Sequence, residues 1–358
     1  MLIRRRWWLL LLLAGASALA YAYRGPLLLQ IIQRVADQRL AEQPLAALPD
    51  GLHVGLCGAG SPFPDEQRGS PCTLVIAGKQ LFVIDAGTTA AANINRMHFS
   101  PGQIDALFLT HFHSDHIGGL GELMLQRWGT AARTEPLPIY GPIGVKAVVD
   151  GFTQAYRQDQ GYRIAHHGTA VMPSSGFAGQ AITFAAIGAD KRVVLIDQPD
   201  LQIVAFSVEH SPVEPSVGYR IRYKDRTLVI SGDTRKSAAV QREAQGVDLL
   251  LHEGLAPQLT AVLQRSAAKA GRTNLAKVFV DIVDYHTTPE QAAQIARDAG
   301  VGMLLFNHIV PALPLPGMQS LFLGEAPTIF SGAIKVGIDG DFVSLPAGSK
   351  AIELSSRM

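Results

Sequence analysis

The sequence predicts an α/β fold whose strands deliver functional residues to one edge. Three observations predict it. Short apolar runs, such as Leu81-Phe82-Val83-Ile84 and Met303-Leu304-Leu305-Phe306, alternate with segments of helical periodicity. His111, Asp233, Glu253 and His308 each follow closely on such a run, and open α/β sheets place their sites at the carboxyl ends of strands. The third observation is local. Ala106-Leu107-Phe108-Leu109 runs into Thr110-His111-Phe112-His113-Ser114-Asp115-His116, where three imidazoles and a carboxylate crowd the end of a buried strand. Desolvating these groups without partners would cost several kcal/mol each. A bound cation removes that cost, because neutral imidazole and carboxylate are good ligands for zinc and similar metals.

The chain opens with Arg4-Arg5-Arg6 ahead of residues 7–23, which are uncharged and largely apolar. A basic region before an apolar one is the pattern of an export signal. Ala18-Leu19-Ala20 and Ala20-Tyr21-Ala22 suit cleavage, whereas the length of the apolar run suits an uncleaved anchor with its basic side in the cytoplasm. Residues 1–25 are therefore read as a signal anchor, in preference to a signal peptide, with the globular part in the periplasm at the inner membrane. Residues 26–50 are read as an amphipathic helix and linker, with Leu27, Leu28, Ile31, Ile32, Val35 and Leu40 mostly on one face. Residues 51–358 form the main domain. Its 31 basic and 30 acidic residues, counted over the whole chain, predict no strong field towards nucleic acid or a membrane surface. Cys57 and Cys72 lack a metal-binding spacing, which excludes a thiolate zinc site. An even count in an exported chain permits one disulfide, and two free thiols are the alternative.

Residues 52–57 alternate as an edge strand would, and Pro62 and Pro64 deny the glycines that follow a phosphate-loop role. Residues 73–77 and 81–84 read as strands joined around Gly78-Lys79, the second ending in Asp85-Ala86-Gly87. A helix is expected from Ile117 to Trp128, a strand at 138–142 and a helix at 144–156. Residues 157–199 read as a polar insertion that sets specificity; its His166-His167 pair points to different faces. Residues 203–206 lead to His210, and a hairpin around Lys224-Asp225 leads to Ser231-Gly232-Asp233-Thr234. The run 247–251 leads to His252-Glu253-Gly254, and a helix at 275–283 precedes His286. Thr288, Pro289 and Gln291 form a helix-start signal, and that helix stops near Gly300. Residues 333–345 read as a hairpin turning at Asp339-Gly340.

The spacing of His111, His113, Asp115 and His116 is similar to the signature loop of the metallo-β-lactamase superfamily. His210, Asp233 in its Gly-Asp-Thr triplet, and His308 resemble the later ligand motifs of that family, in the same order. Residues 82–87 resemble the motif in which an aspartate, here Asp85, supports the loop from behind. The resemblance covers most of residues 52–345. It implies an αββα four-layer sandwich of two mixed β-sheets flanked by helices, holding two zinc ions. His111, His113 and His210 would hold one ion, Asp115, His116 and His308 the other, with Asp233 between them. Two divalent ions, less the charges of Asp115, Asp233 and a bridging hydroxide, leave a positive pocket suited to a phosphate or sulfate ester. Zinc lowers the pKa of bound water towards 7, which supplies the nucleophile, and Asp115 is a candidate acceptor for its proton.

Residues 251–254 and 285–288 resemble two motifs of the ribonuclease Z branch. By that resemblance Glu253 orients His286, and His286 protonates the leaving oxygen. Gly254 departs from the Ala-Thr of that branch, and no basic, glycine-rich arm for gripping transfer RNA is visible. The arylsulfatase-like members are thus the closer comparison. The expectation is an exported or membrane-anchored dizinc hydrolase of small anionic esters. Nucleic acid is not an expected partner; the membrane is, through an uncleaved N-terminal segment, and a homodimer is a candidate assembly. A ribonuclease Z-type endoribonuclease processing tRNA precursors, a lactonase or β-lactamase, a di-iron redox centre and a binding protein without catalysis are the alternatives. The intact ligand set argues against the last.

Overall fold

Alternating and continuous apolar runs between turns build fifteen strands among the described residues. These residues, 2–185, 188 and 191–358 of the computed structural model, fall into two units, Met1–Ala47 and Leu48–Met358. In the second unit β1 (Gly51–Gly58), β2 (Cys72–Ala77), β3 (Gln80–Ile84), β4 (Ile104–Phe108), β5 (Leu137–Gly141) and β6 (Gly179–Thr183) lie in one sheet. β7 (Arg192–Asp197), β8 (Leu201–Ser207), β9 (Val217–Tyr223), β10 (Arg226–Ile230), β11 (Leu249–Leu255), β12 (Met303–Val310) and β13 (Ala333–Val336) form a second. The chain then returns to the first sheet as β14 (Asp341–Pro346) and β15 (Glu353–Ser356), giving the orders β15-β14-β1-β2-β3-β4-β5-β6 and β13-β12-β11-β10-β9-β8-β7. Both sheets are mixed: β3 to β6 and β10 to β13 run parallel, and the remaining neighbours are antiparallel.

The sheets face each other across an apolar layer of Leu52, Val54, Phe82 and Phe108 from one and Ile203, Ile221, Leu228 and Leu305 from the other. Each such side chain contributes about 1.5–3 kcal/mol by leaving water. On the outer side of the second sheet, Phe206, Val229, Leu250 and Leu304 pack on Ala292, Ile295 and Ala296 of the helix Pro289–Ala299. That helix starts as expected, with a capping box between Thr288 and Gln291, and ends at Gly300 with a left-handed φ of 63°. The helices Ala90–Arg96 and Leu120–Ala131 lie against strands of the first sheet. Two mixed sheets and their flanking helices make the expected α/β sandwich.

Four local expectations are corrected. β1 is interior, because β14 hydrogen-bonds its other side; the alternation that suggested an edge came from His53, Gly55 and Cys57, all of them buried. Residues 333–345 are not a hairpin. β13 closes the second sheet and β14 joins the first, and the turn between them is held by Asp339, whose carboxylate accepts from Ala59 N and Gly69 N. The helix Val145–His167 runs eleven residues past the expected end, carried by polar surface residues with an Arg163–Asp159 pair of 2.7 Å, so apolar periodicity did not reveal it. His166 and His167 end that helix, exposed and away from the strand ends. The supposed insertion also supplies β6 and β7; residues 186, 187, 189 and 190 of it lie outside the described residues.

The membrane anchor is corrected as well. Leu2–Ala41 is one helix, and among the described residues no helix is long and apolar enough to cross a membrane. Its residues 24–41, most of which were expected as an amphipathic helix, interleave apolar side chains with Arg24, Gln30, Arg34, Asp37 and Arg39.

Cys57 and Cys72 form a disulfide across the β1–β2 pair, which decides between the two alternatives. A link over 15 residues stabilises the folded chain by roughly 3 kcal/mol in the chain-entropy account. Dithiothreitol should therefore lower the guanidinium midpoint, with two thiols titrating only after reduction. An unchanged midpoint would count against the cross-link.

Candidate metal centre

The parallel strands bring the distant residues together. β4 ends at Phe108, and Thr110 to His113 form the loop into the short helix Ser114–Ile117, which carries Asp115 and His116 on its inner side. β8 leads to His210 and β10 to Asp233. Glu253 and His308 lie within β11 and β12, which run past the ends that the sequence suggested. His308 is the unpaired residue of a bulge: Glu253 opposes Asn307 and Gly254 opposes Ile309. Its φ of 44° turns the imidazole to the site, the kind of re-aiming for which bulges occur beside active sites.

Three groups of ligand atoms result among the described residues, with all atoms within 4.8 Å in each: His111, His113, His210 and Asp233; Asp115, His116 and His308; and Asp233, His286 and His308. Asp233 Oδ2 joins them, lying 3.9 Å from His111 Nε2, 4.0 Å from His210 Nε2, 3.3 Å from His116 Nε2 and 3.1 Å from His308 Nε2. Of the first two groups, all but the half-buried His113 are buried. Burial alone would raise the Asp233 carboxyl, but the His308 and His116 imidazoles hold it well below the usual range. His116 goes the other way: burial lowers it, and the carboxylates of Asp233, Asp85 and Asp115 outweigh that and raise it well above an ordinary imidazole.

A fit test for metal comes from groups the protein leaves unsatisfied. Asp115 Oδ2, His116 Nε2 and His210 Nε2 are buried without a hydrogen-bond partner, a costly state unless a cation takes those lone pairs. The opposite nitrogens are already committed. His116 Nδ1 lies 2.8 Å from Asp85 Oδ2, and His210 Nδ1 lies 2.9 Å from the Tyr285 carbonyl. Asp85, at φ 59°, also accepts from Thr110 N and Thr110 Oγ1, both at 2.8 Å, and that hydroxyl lies 3.1 Å from His111 Nδ1. Such contacts fix the ring orientation of ligands. The residues present fit divalent metal. Thr110 and Tyr285 escaped the sequence reading because an ordinary hydroxyl and a backbone carbonyl carry no motif.

Glu253 and His286 complete the site. His286 Nδ1 is 3.1 Å from Glu253 Oε1, which also accepts from Thr287 N at 2.9 Å and Thr234 N at 3.3 Å. His286 also lies within ligand distance of Asp233 and His308. It lines a cleft of about 230 Å³ beside His113, Tyr285 and the apolar Phe63 and Val310. The departure at Gly254 has a packing cause, since a Cβ there would stand 2.7 Å from the Phe322 ring.

Residues 65–280 match the family described as the metallo-beta-lactamase superfamily. The chain is 35% identical over 290 residues to Ribonuclease Z of Mycolicibacterium gilvum (strain PYR-GCK), covering 80% of this chain and 94% of that protein. It is 33% identical over 300 residues to Ribonuclease Z of Mycobacterium avium (strain 104), covering 83% of this chain and all of that one. In fold it is similar to the metallo-beta-lactamase fold protein YhfI from Bacillus subtilis, with a TM-score of 0.58 at 21% identity over 83% of this chain and 100% of that one. It is also similar to human tRNase Z, short form, with a TM-score of 0.57 at 20% identity over 82% and 99% of the two chains. These findings overturn three expectations: the exported hydrolase of small sulfate or phosphate esters, the arylsulfatase-like comparison, and the exclusion of nucleic acid. The glycine at 254 answers to packing, and neither it nor an absent arm weighs against a relationship that spans four-fifths of the chain.

Proposed function

The chain belongs to the metallo-beta-lactamase superfamily, in its ribonuclease Z branch, and on that premise we propose that it is a zinc-dependent endoribonuclease cleaving a phosphodiester of a transfer RNA precursor. The observation that carries this reading is the Glu253–His286 contact, set beside Asp233 and His308 at the floor of the cleft. His111, His113 and His210 would hold one zinc ion, Asp115, His116 and His308 the second, with Asp233 shared. Bound zinc would supply an activated water near neutral pH and positive charge for the phosphate oxygens.

The chain's own residues account for the leaving group. Burial pushes the Glu253 carboxyl well up, with Asp233 adding to it, and burial lowers His286 to about 4. Both shifts favour a proton on the carboxyl over one on the ring. Moving it across the 3.1 Å contact yields a carboxylate and an imidazolium, and the two backbone N–H groups on Oε1 favour that carboxylate. The imidazolium Nε2–H can then protonate the ribose oxygen as the P–O bond breaks and its electron pair leaves with that oxygen. Asp115 is the candidate acceptor for the proton of the attacking water. Phe63 and Val310 give the cleft an apolar wall for a base or ribose.

The test is cleavage of a precursor transfer RNA with a 3′ extension by the purified, zinc-loaded chain, read by gel. Release of the extension at a single site is expected. Turnover of a sulfate ester but not of the RNA would sink the proposal.

A further inference from the structure

Beside the metal-centre cleft lies a second cavity, of about 300 Å³, and every described side chain that lines it is apolar. Four segments build it. The loop after β1 brings Phe63 and Pro64, and the helix Pro257–Lys269 brings Leu259 and Val262. The chain leaving β12 brings Pro311, and Met318 opens the helix Met318–Leu323.

The walls are held from behind. Leu259 and Met318 pack on the apolar cluster outside the second sheet, and the Phe63 ring stacks on Phe279 at 5.3 Å. Asp65 ties two of the segments together: its Oδ2 accepts from Leu313 N at 3.2 Å and pairs with Arg68 at the same distance. The N–H of Ala256 donates to the Val310 carbonyl, which joins the start of the helix to the end of β12. The cavity is nevertheless open, with Val262 49% exposed and Leu263 38%. A pre-formed apolar hollow left open to water marks a binding site.

The cavity is continuous with the metal cleft. Phe63 lines both, and Val310 lines one while its neighbour Pro311 lines the other. Pro311 follows the candidate ligand His308 by three residues, so no more than about 11 Å of chain separates them. Distance and lining together select the occupant. A phosphate would find no cation, for no described lining residue carries one. A nucleobase, by contrast, presents a flat face to Phe63 and to the proline rings, and single-stranded RNA is gripped through such stacking. We propose that this cavity binds the unpaired nucleobase next to the scissile phosphate and thereby seats that phosphate at the metal centre. The proposal rests on the RNA-cleaving function proposed above.

The experiment measures binding of the full, zinc-loaded chain to a labelled precursor transfer RNA in which a methylene group replaces the ribose oxygen that would leave, so that nothing is cut. Residues on either side of that link are made abasic one at a time. At one of them, loss of the base should weaken binding about tenfold. V262Q/L263Q makes two exposed lining residues polar on a helix that accepts glutamine. It should bind the intact RNA about as weakly and be indifferent to that abasic residue. Its slope of log affinity against log salt should stay as in wild type, because no phosphate contact is lost. Phe63→Leu should weaken binding in the same direction, and Phe63→Tyr should restore it. Equal affinity for every abasic RNA, or wild-type affinity in V262Q/L263Q, would overturn the subsite. Loss of self-association in V262Q/L263Q with RNA affinity unchanged would overturn it too, in favour of a second copy of the chain. Base-dependent binding with the unmodified precursor left uncut would instead defeat the enzymatic reading alone.

Discussion

Asp233→Ala should strip the protein of both metal ions and abolish hydrolysis of every substrate, while His113→Ala should remove about one ion per chain. The difference follows from position. Asp233 Oδ2 stands within 4.0 Å of four imidazoles from three separate segments, whereas His113 belongs to one group of ligand atoms only. Without the Asp233 carboxylate, nothing central would offset the charge of the two proposed cations among the six other imidazole and carboxylate side chains. Asp233→Ala should also destabilise the metal-free fold by a few kcal/mol, since it leaves buried imidazoles without their counter-charge. His113 is half-buried, so its loss should leave the fold intact and make it the cleaner variant. Metal content by mass spectrometry, alongside turnover of a chromogenic diester, checks both. Full metal occupancy in Asp233→Ala would refute the shared-ligand role.

His286→Ala should slow cleavage of precursor RNA by roughly 10²–10⁴-fold yet leave bis(p-nitrophenyl) phosphate turnover within a few-fold of wild type. The ribose alkoxide is a poor leaving group and needs a proton; nitrophenolate does not. Glu253→Gln should reproduce the selective loss, because an amide neither stores a proton nor stabilises the imidazolium across the 3.1 Å contact. An equal loss on both substrates, with metal content normal, would remove the general-acid role. A fall in metal content in His286→Ala would instead make His286 a ligand, as its proximity to Asp233 and His308 permits.

Much of this site is legible in residue order. The four candidate ligands of the loop after Phe108 stand close together because a strand end and one helical turn hold them, so their spacing survives in the linear chain. His210, Asp233, Glu253 and His308 could be proposed because each follows a strand-like apolar run. Substrate class was misjudged because an absent arm for gripping RNA and a glycine at 254 were weighed against the ribonuclease Z branch, although the glycine answers to the Phe322 ring.

The sequence by itself determined the α/β class, the capped helix at Thr288 and the identities of the residues that cluster around Asp233, since strand periodicity, capping and ligand chemistry are local properties. Only the tertiary structure decided that β14 leaves its neighbour for the other sheet, that Cys57 meets Cys72, and that His308 is aimed by a bulge. It alone showed that Phe63, Val262 and Pro311 line one cavity. Those features depend on pairing register and on which sheet face a side chain leaves. Register arises from the packing of distant strands against each other, and no single stretch of the chain encodes it.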